Sequence, residues 1–377
     1  MTESFSVLQH RHMARALELG ETARLIAPPN PAVGCVIALH EQVLGEGATG
    51  PVGSAHAEIA ALDDAIASGR DVAGATAYVT LEPCSHQGRT PPCTHALIDS
   101  GIASVIVAVS DPDPRVNGAG LSQLREAGIS VQQGLLETEA IHQHRNFFHR
   151  VSSGRPRIRI KLASSVDGRT AMASGESKWI TASAAREDVQ LLRAESDCVL
   201  TGSGTVLADD PGLDVRLTAQ ALGLPSGEIV RQPLRVILDS QTRTPADARL
   251  FQCGGDLRIY ATNDNINKYK SLNNKVKVVS EFKCESGGID LVALFADLAA
   301  IPVNLVHVEA GPTLCGALLQ ARLVDEIVVY LAPHIMGSEA RPQFELPGIT
   351  TMSQRLELEL EQVRQLGDDL RLSYRVA

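Results

Sequence analysis

Aromatic residues are scarce. Phe, Tyr and Trp make up 3% of 377 residues, with a single Trp. Binders of single-stranded nucleic acid stack bases on aromatic platforms, so that class is disfavoured. A basic excess is missing too: 34 Lys and Arg stand against 44 Asp and Glu, a formal net charge of −10. General nucleic-acid binders present a basic face, and no nucleic-acid partner is expected. No stretch approaches the roughly 20 apolar residues that span a bilayer. The first residues, MTESFSVLQHRHMARALELG, lack the basic start and apolar core of a signal peptide and read as an amphipathic helix. The expectation is a cytoplasmic protein with no membrane partner. Seven cysteines, an odd and dispersed set, suit a reducing compartment.

What is present is a globular composition, 44% hydrophobic and 21% charged, in a chain long enough for two domains. The most informative stretch is His56-Ala57-Glu58, followed by Pro83-Cys84 and then Cys93. One imidazole and two thiolates can hold Zn²⁺ and leave a fourth position for water. Zinc lowers the pKa of bound water from about 15.7 to about 7, on the order of 12 kcal/mol towards making the nucleophile. Glu58 is placed to take a proton from the attacking water and pass protons to the ring and the departing ammonia. This is the chemistry of a zinc-dependent deaminase acting on a nucleobase-like ring. Apolar spacing at Ile59, Leu62 and Ile66 starts a helix at His56, and a second helix is expected from Pro91-Pro92, carrying Cys93. The spacing between the cysteines is eight residues, SHQGRTPP, where the generic signature has two. The remaining cysteines, Cys35, Cys198, Cys253, Cys284 and Cys315, read as small core or surface residues.

Strand-like and helix-like segments alternate. In the first half, strands at AVGCVIAL, QVLGEGAT, AYVTLE, ASVIVAV and ISVQQG interleave with helices, a three-layer α/β sandwich closed by a helix over 137–148. The segment 152–156, SSGRP, reads as a linker, with domains at 1–151 and 155–377. The second half places strands at RIRIKLASS, SDCVLTG, PLRVILDS, DLRIYATN, NLVHVEAG and EIVVYLAP, with helices over 184–195, 291–299 and 313–321. That pattern argues for a largely parallel sheet with ligands at strand C-terminal ends. The Asn/Lys-rich stretch after Asn263 reads as a solvated loop or edge region.

Four motifs in order, TLEPCSHQGRTPPC, KLASSVDGRTA, SGESKWIT and VEAGPTLCGALL, resemble the bacterial bifunctional riboflavin-biosynthesis deaminase/reductase family from about Pro28 to Leu331. The resemblance implies a cytidine-deaminase-like sandwich followed by a dihydrofolate-reductase-like α/β domain. It implies deamination of 2,5-diamino-6-(5-phosphoribosylamino)pyrimidinone, a phosphorylated small molecule, and then reduction of the ribosyl group to ribityl with NADPH. A homo-oligomer is also implied. By position, Ala163, Trp179, Thr205, Asp209, Ser240 and the loop Gly311, Pro312, Thr313, Leu314, Cys315, Gly316 and Ala317 match the cofactor contacts. Ser177, Arg193, Leu213, Arg216 and Glu309 match the substrate contacts.

Physical chemistry alone leaves several of these open. Backbone N–H groups from Gly311 to Leu314 suit a phosphate at a helix start, or form a common tight strand-to-helix turn. Arg193 and Arg216 suit a phosphate clamp or surface ion pairs. Lys161 and Asp167 flank a turn after the first reductase strand and are expected to position the ribose and supply the proton. His86 and Arg89 are expected to close over the deaminase substrate, Arg89 at its phosphate. Asn30 is assigned to ribose or ring, and Asp111 to the ring amines or to a turn. The alternative function is a nucleoside or tRNA deaminase with a C-terminal binding domain, which the acidic balance and the second-half motifs disfavour. A structural zinc site would bring four protein ligands, and only three are evident.

Overall fold

The computed structural model describes residues 5–85, 92–113, 116–225, 227–262, 267–270, 272, 276–285 and 287–377. The chain divides into two compact units, Met1–Gly154 and Arg155–Ala377. His86 and Arg89 fall outside the described residues.

The first unit opens with α1 (Val7–Ala23), whose start is fixed by a capping box between Ser6 and Gln9. A five-stranded sheet follows, built from β1 (Gly34–Leu39), β2 (Gln42–Ala48), β3 (Thr76–Val79), β4 (Ser104–Val107) and β5 (Ser130–Gln133) in the order β2-β1-β3-β4-β5. β1 is antiparallel to β2 and β3, and β3, β4 and β5 run parallel. Between them lie α2 (Ala57–Ala67), α3 (Cys93–Asp99) and α4 (Ala119–Glu126), and α5 (Glu137–Ser153) closes the unit. Missing side chains set the helix positions. A Cβ at Gly34 would lie 1.8 Å from Ala16 O on α1, and one at Gly47 would lie 2.3 Å from Ala57 O on α2. Gly47 pairs with Cys35, the neighbour of Gly34, so the two glycines face opposite sides of the sheet. Helices therefore cover both faces, which is the three-layer sandwich expected. α5 extends to Ser153, beyond the expected 148, and ends at Gly154 in the left-handed region at φ 71°.

The second unit is a nine-stranded sheet. In chain order its elements are β6 (Arg157–Ser165), β7 (Arg169–Ala171), α6 (Ser183–Ala194), β8 (Cys198–Gly202), α7 (Ser203–Asp209), β9 (Leu234–Leu238), β10 (Leu257–Tyr260), α8 (Asn267–Lys270) and β11 (Val276–Val279). Then come α9 (Leu291–Ala300), β12 (Leu305–Val308), α10 (Pro312–Gln320), β13 (Glu326–Ala332), β14 (Arg341–Pro342), β15 (Leu358–Leu366) and β16 (Asp369–Val376). The strand order is β11-β10-β9-β8-β12-β6-β13-β16-β15, with β7 and β14 paired apart. The seven strands from β11 to β13 are parallel, and the β15–β16 hairpin closes one edge antiparallel.

Alternation gives the two faces of this sheet different chemistry. Ile158, Ile160 and Leu162 of β6 join Val306, Val308, Ile327 and Val329 in an apolar core. The other face of β6 carries Arg159, Lys161 and Ala163, beneath α6. Polar residues buried there need partners, and Arg159 has several. Arg159 donates to His307 Nδ1 (3.2 Å), Leu192 O and Ser196 Oγ. The stretch after Asn263, expected as a loop or edge region, contributes the edge strand β11. The C-terminal hairpin had no counterpart in the sequence-based expectation.

Candidate active sites

In the first unit, two helix starts meet. His56 is the N-cap of α2, and Cys93 is the first residue of α3 after the N-cap Pro92. The second helix thus begins at Cys93, not at the prolines, because Pro92 takes an extended ψ of 135°. Cys84 leaves the end of the β3 segment and receives the Cys93 backbone N–H on its sulfur at 3.4 Å. The ligand atoms of His56, Cys84 and Cys93 all lie within 4.8 Å of one another. His56 Nδ1 is 3.2 Å from Cys93 Sγ and 3.6 Å from Cys84 Sγ. Ligands bound tetrahedrally to zinc at its usual bond lengths sit about 3.5–3.8 Å apart. The donor set and its spacing therefore fit a zinc ion.

The charges are tightly coupled. Cys84 is pulled down, first by a hydrogen bond from Cys93, with burial opposing and His56 assisting. Cys93 is pushed up by that same bond and by burial. His56 is raised by its bond with Cys84. Glu58, only 4% exposed, is raised to about 7, first by burial and then by the charge on Cys84.

One residue escaped the sequence reading. Glu82 is 4% exposed and accepts N–H bonds from Asp111 (3.3 Å), Gly118 (3.0 Å) and Gly120 (3.1 Å). It ties the segment after β4 to the strand end that carries Cys84. A Cβ at Gly120 would lie 2.2 Å from Pro83 O, so that segment seats directly on Pro83. The acid in TLEPC, between a strand and a ligand, was the available signal. Asp111 accepts the Asp113 N–H at 2.8 Å, the turn role held open for it. Asn30 lies in a turn, its N–H on Ala27 O at 3.0 Å, four residues before β1.

In the second unit, the expected cofactor residues gather at the C-terminal ends of adjacent parallel strands. Thr205 and Asp209 lie on α7 after β8, Ser240 follows β9, and Gly311 caps α10 after β12. Ligands collect at such strand ends in open α/β sheets. A Cβ at Gly204 or at Gly311 would meet nothing within 4 Å, so both backbones border open space. The first N–H groups of α10 lack intrahelical partners. Pro312 occupies the first helical position and has no N–H, so the donors from this turn are Gly311, Thr313 and Leu314, fewer than expected. Cys315 is buried with its thiol on Ala310 O, and Gly316 packs so closely that a Cβ would lie 2.0 Å from Glu345 O. Ala317 follows on the same helix. Trp179 is 73% exposed with Arg186 over its ring at 4.6 Å, a free aromatic wall and not core. Open glycine backbone, helix-start donors and an exposed indole fit a dinucleotide.

Around this edge lie the expected substrate residues. Arg193 is 6% exposed and grips both oxygens of Glu309, through Nε at 2.5 Å and Nη2 at 3.0 Å, while Nη1 donates to Asp214 O. A buried guanidinium needs its counter-charge, and Glu309 provides it. Of the two alternatives left open for these arginines, Arg193 takes the ion pair, buried with Glu309 and not at the surface, while Arg216, 53% exposed by side chain, lies 3.4 Å from Asp214. Leu213 is 1% exposed and left-handed at φ 56°, so it offers backbone to a ligand, not side chain. Ser177 Oγ lies 3.4 Å from Asp209 Oδ1. Ala163 packs beside Tyr330 and α6.

Lys161 projects from β6 with Nζ 5.8 Å from the Tyr330 ring centroid. Its pKa is lowered, chiefly by burial, with Glu309 opposing. Asp167 does not join it as a proton source. Its carboxylate accepts Ser165 Oγ (2.6 Å), Met336 N (3.1 Å) and Gly337 N (2.8 Å), and its pKa falls to about 2, first through Ser165. A carboxylate so fully hydrogen-bonded stays ionised and pins the turn after β6 to the segment after β13.

Among the described residues, no helix is long and apolar enough to cross a membrane. Two family models match the chain. "RibD C-terminal domain" covers residues 156–372, and "Cytidine and deoxycytidylate deaminase zinc-binding region" covers residues 7–109. The riboflavin biosynthesis protein RibD of Escherichia coli (strain K12) is 46% identical over 362 residues, spanning 95% of this chain and 97% of that protein. Its counterpart from Haemophilus influenzae is 41% identical over 366 residues, 96% of each. Among solved structures, Acinetobacter baumannii RibD aligns with a TM-score of 0.88 at 41% identity, over 98% of this chain and 99% of that one. A diaminohydroxyphosphoribosylaminopyrimidine deaminase/5-amino-6-(5-phosphoribosylamino)uracil reductase from Thermotoga maritima aligns at 0.86 and 29% identity, with the same coverage.

Proposed function

The chain belongs to the RibD family of riboflavin biosynthesis proteins, and from that membership we propose that residues 1–154 deaminate and residues 155–377 reduce. The protein is a bifunctional enzyme, a zinc-dependent deaminase and an NADPH-dependent reductase, and its substrates are small phosphorylated pyrimidines. The first is 2,5-diamino-6-(5-phosphoribosylamino)pyrimidin-4(3H)-one. The deaminated product then has its ribosyl side chain reduced to ribityl. Reading the chain as a nucleoside or tRNA deaminase is not favoured.

The observation that carries the deaminase assignment is the meeting of His56, Cys84 and Cys93 beside the buried Glu58. These three side chains would hold zinc, and Glu58 is the proton carrier. Zinc held there supplies the Lewis acidity that makes hydroxide available at neutral pH. Glu58 accepts the proton of the attacking water and returns protons to the ring nitrogen and the departing amine. Asp111 and Asn30 border the ring and ribose, and Glu82 holds the Asp111 segment in register with Cys84.

In the reductase half, Gly311, Thr313 and Leu314 would take a cofactor phosphate, with Thr205, Asp209, Ser240, Ala163 and Trp179 along the dinucleotide. NADPH bound there supplies the hydride. Arg216 takes the ribosyl phosphate, and Glu309, held by Arg193, orients the ribose. Lys161, depressed in pKa by burial, gives its proton to the sugar oxygen as the ring opens.

Glu58→Gln tests the first assignment. The variant is expected to keep its fold and zinc and to lose ammonia release by at least about 100-fold. Retained ammonia release would exclude Glu58 as the proton carrier.

A further inference from the structure

The residues assigned so far hold a dinucleotide but do not distinguish a 2′-phosphorylated one from its unphosphorylated form. We propose that Arg243 selects the 2′-phosphate; this rests on the cofactor site described above. Arg243 lies three residues beyond Ser240, past the C-terminal end of β9. Its side chain is exposed and reaches across to the neighbouring parallel strand's helix, where Nη2 donates to Ser203 Oγ at 3.1 Å. Ser203 opens α7, two residues before Thr205. The guanidinium thus joins the two chain segments that carry Ser240 and Thr205.

Its charge is available. Among the described residues, no carboxylate forms an ion pair with Arg243, whereas Arg193 is matched by Glu309 and Arg216 has Asp214 at 3.4 Å. The acid in its own turn, Asp239, is fully buried and committed elsewhere. Oδ1 accepts the Arg243 backbone N–H at 2.9 Å, and Oδ2 accepts Thr244 N–H at 2.8 Å and Tyr269 O–H at 2.7 Å. That carboxylate shapes the turn and leaves the side chain of Arg243 uncompensated. The turn is held tightly enough to keep Thr242, a β-branched residue, at φ 53°. A planar guanidinium with spare N–H groups suits a phosphate's oxygens.

The test is calorimetric titration of the full chain with 2′,5′-ADP and with AMP, which differ by the phosphate in question. Wild-type protein is expected to bind 2′,5′-ADP more tightly. Arg243→Gln should raise the Kd for 2′,5′-ADP by about 10- to 100-fold and leave AMP binding, the control for folding, unchanged. The kcat/KM preference for NADPH over NADH should fall by a similar factor. A wild-type Kd for 2′,5′-ADP in the variant, or equal losses for both nucleotides, overturns the proposal. Should Arg243→Gln fail to fold, Arg243→Met is read by the same criteria. If the wild-type chain binds neither 2′,5′-ADP nor NADPH, the cofactor-site reading itself fails, and this inference falls with it.

Discussion

The two units build their sites by different routes. In the first, His56 and Cys93, the outermost of the proposed zinc ligands, are 37 positions apart and each sits at a helix start, with Cys84 in the segment after β3. In the second, Arg193 and Glu309 meet across 116 positions, and the cofactor edge needs β8, β9 and β12 side by side. The strand order makes this explicit: β12 lies in the sheet between β6 and β8, although it follows both by more than 100 residues in the chain. A site made of helix starts is carried by local sequence. A site made of parallel strand ends exists only once non-local pairing has placed the strands.

Breaking one site should therefore leave the other intact. Lys161→Ala is the sharpest case in the second unit. Reductase kcat is expected to fall about 100- to 1,000-fold, with ammonia release unchanged, measured by hydride consumption and ammonia assays on one preparation. An unchanged reductase kcat would remove Lys161 from the proton-transfer role.

Acid should instead affect both units alike, because each contains a buried histidine whose pKa is pushed down by burial. His144, beside Thr80 Oγ1 in the first unit, and His307, beside Arg159 in the second, are both lowered from 6.5 to about 4, first by burial. Between these values the unfolded chain takes up protons that the folded chain refuses. Stability is therefore full above about pH 6.5 and falls as pH drops towards 4, by on the order of 3 kcal/mol per histidine. Denaturant unfolding across this window should show the loss, and His307→Gln should flatten it for the second unit alone.

Arg216→Ala tests the phosphate contact assigned to Arg216. KM for the phosphorylated reductase substrate should rise about tenfold, and less for its dephosphorylated analogue. Equal rises would detach Arg216 from the phosphate. The smallest effect belongs to Asp167→Asn, which should change reductase kcat by no more than about threefold, because the residue secures a turn. A loss as large as that of Lys161→Ala would restore Asp167 to the chemistry.

The same contrast decides what the sequence could reveal. The gathering of His56, Cys84 and Cys93 was legible because residue type, spacing and helix-start context coincide within short motifs. Most strands were legible from alternation and apolar runs. β15 and β16 were missed even though β15 alternates Leu with Glu; its alternation points to no buried face, because the strand is exposed along nearly its whole length. Asp167 was misread because proximity to Lys161 in sequence says nothing of Met336 and Gly337, whose N–H groups arrive from across the unit. The partner of Arg193 was not legible for the same reason: Glu309 reaches it only through the sheet.

One chain is expected to perform two reactions in a fixed order. Zinc-loaded protein given the diaminopyrimidine ribotide, first without NADPH and then with it, tests this directly by mass spectrometry. The expected result is amine-to-oxo exchange without the cofactor and a gain of two hydrogens once NADPH is added. Reduction without prior deamination, or no change in zinc-loaded protein, would contradict it.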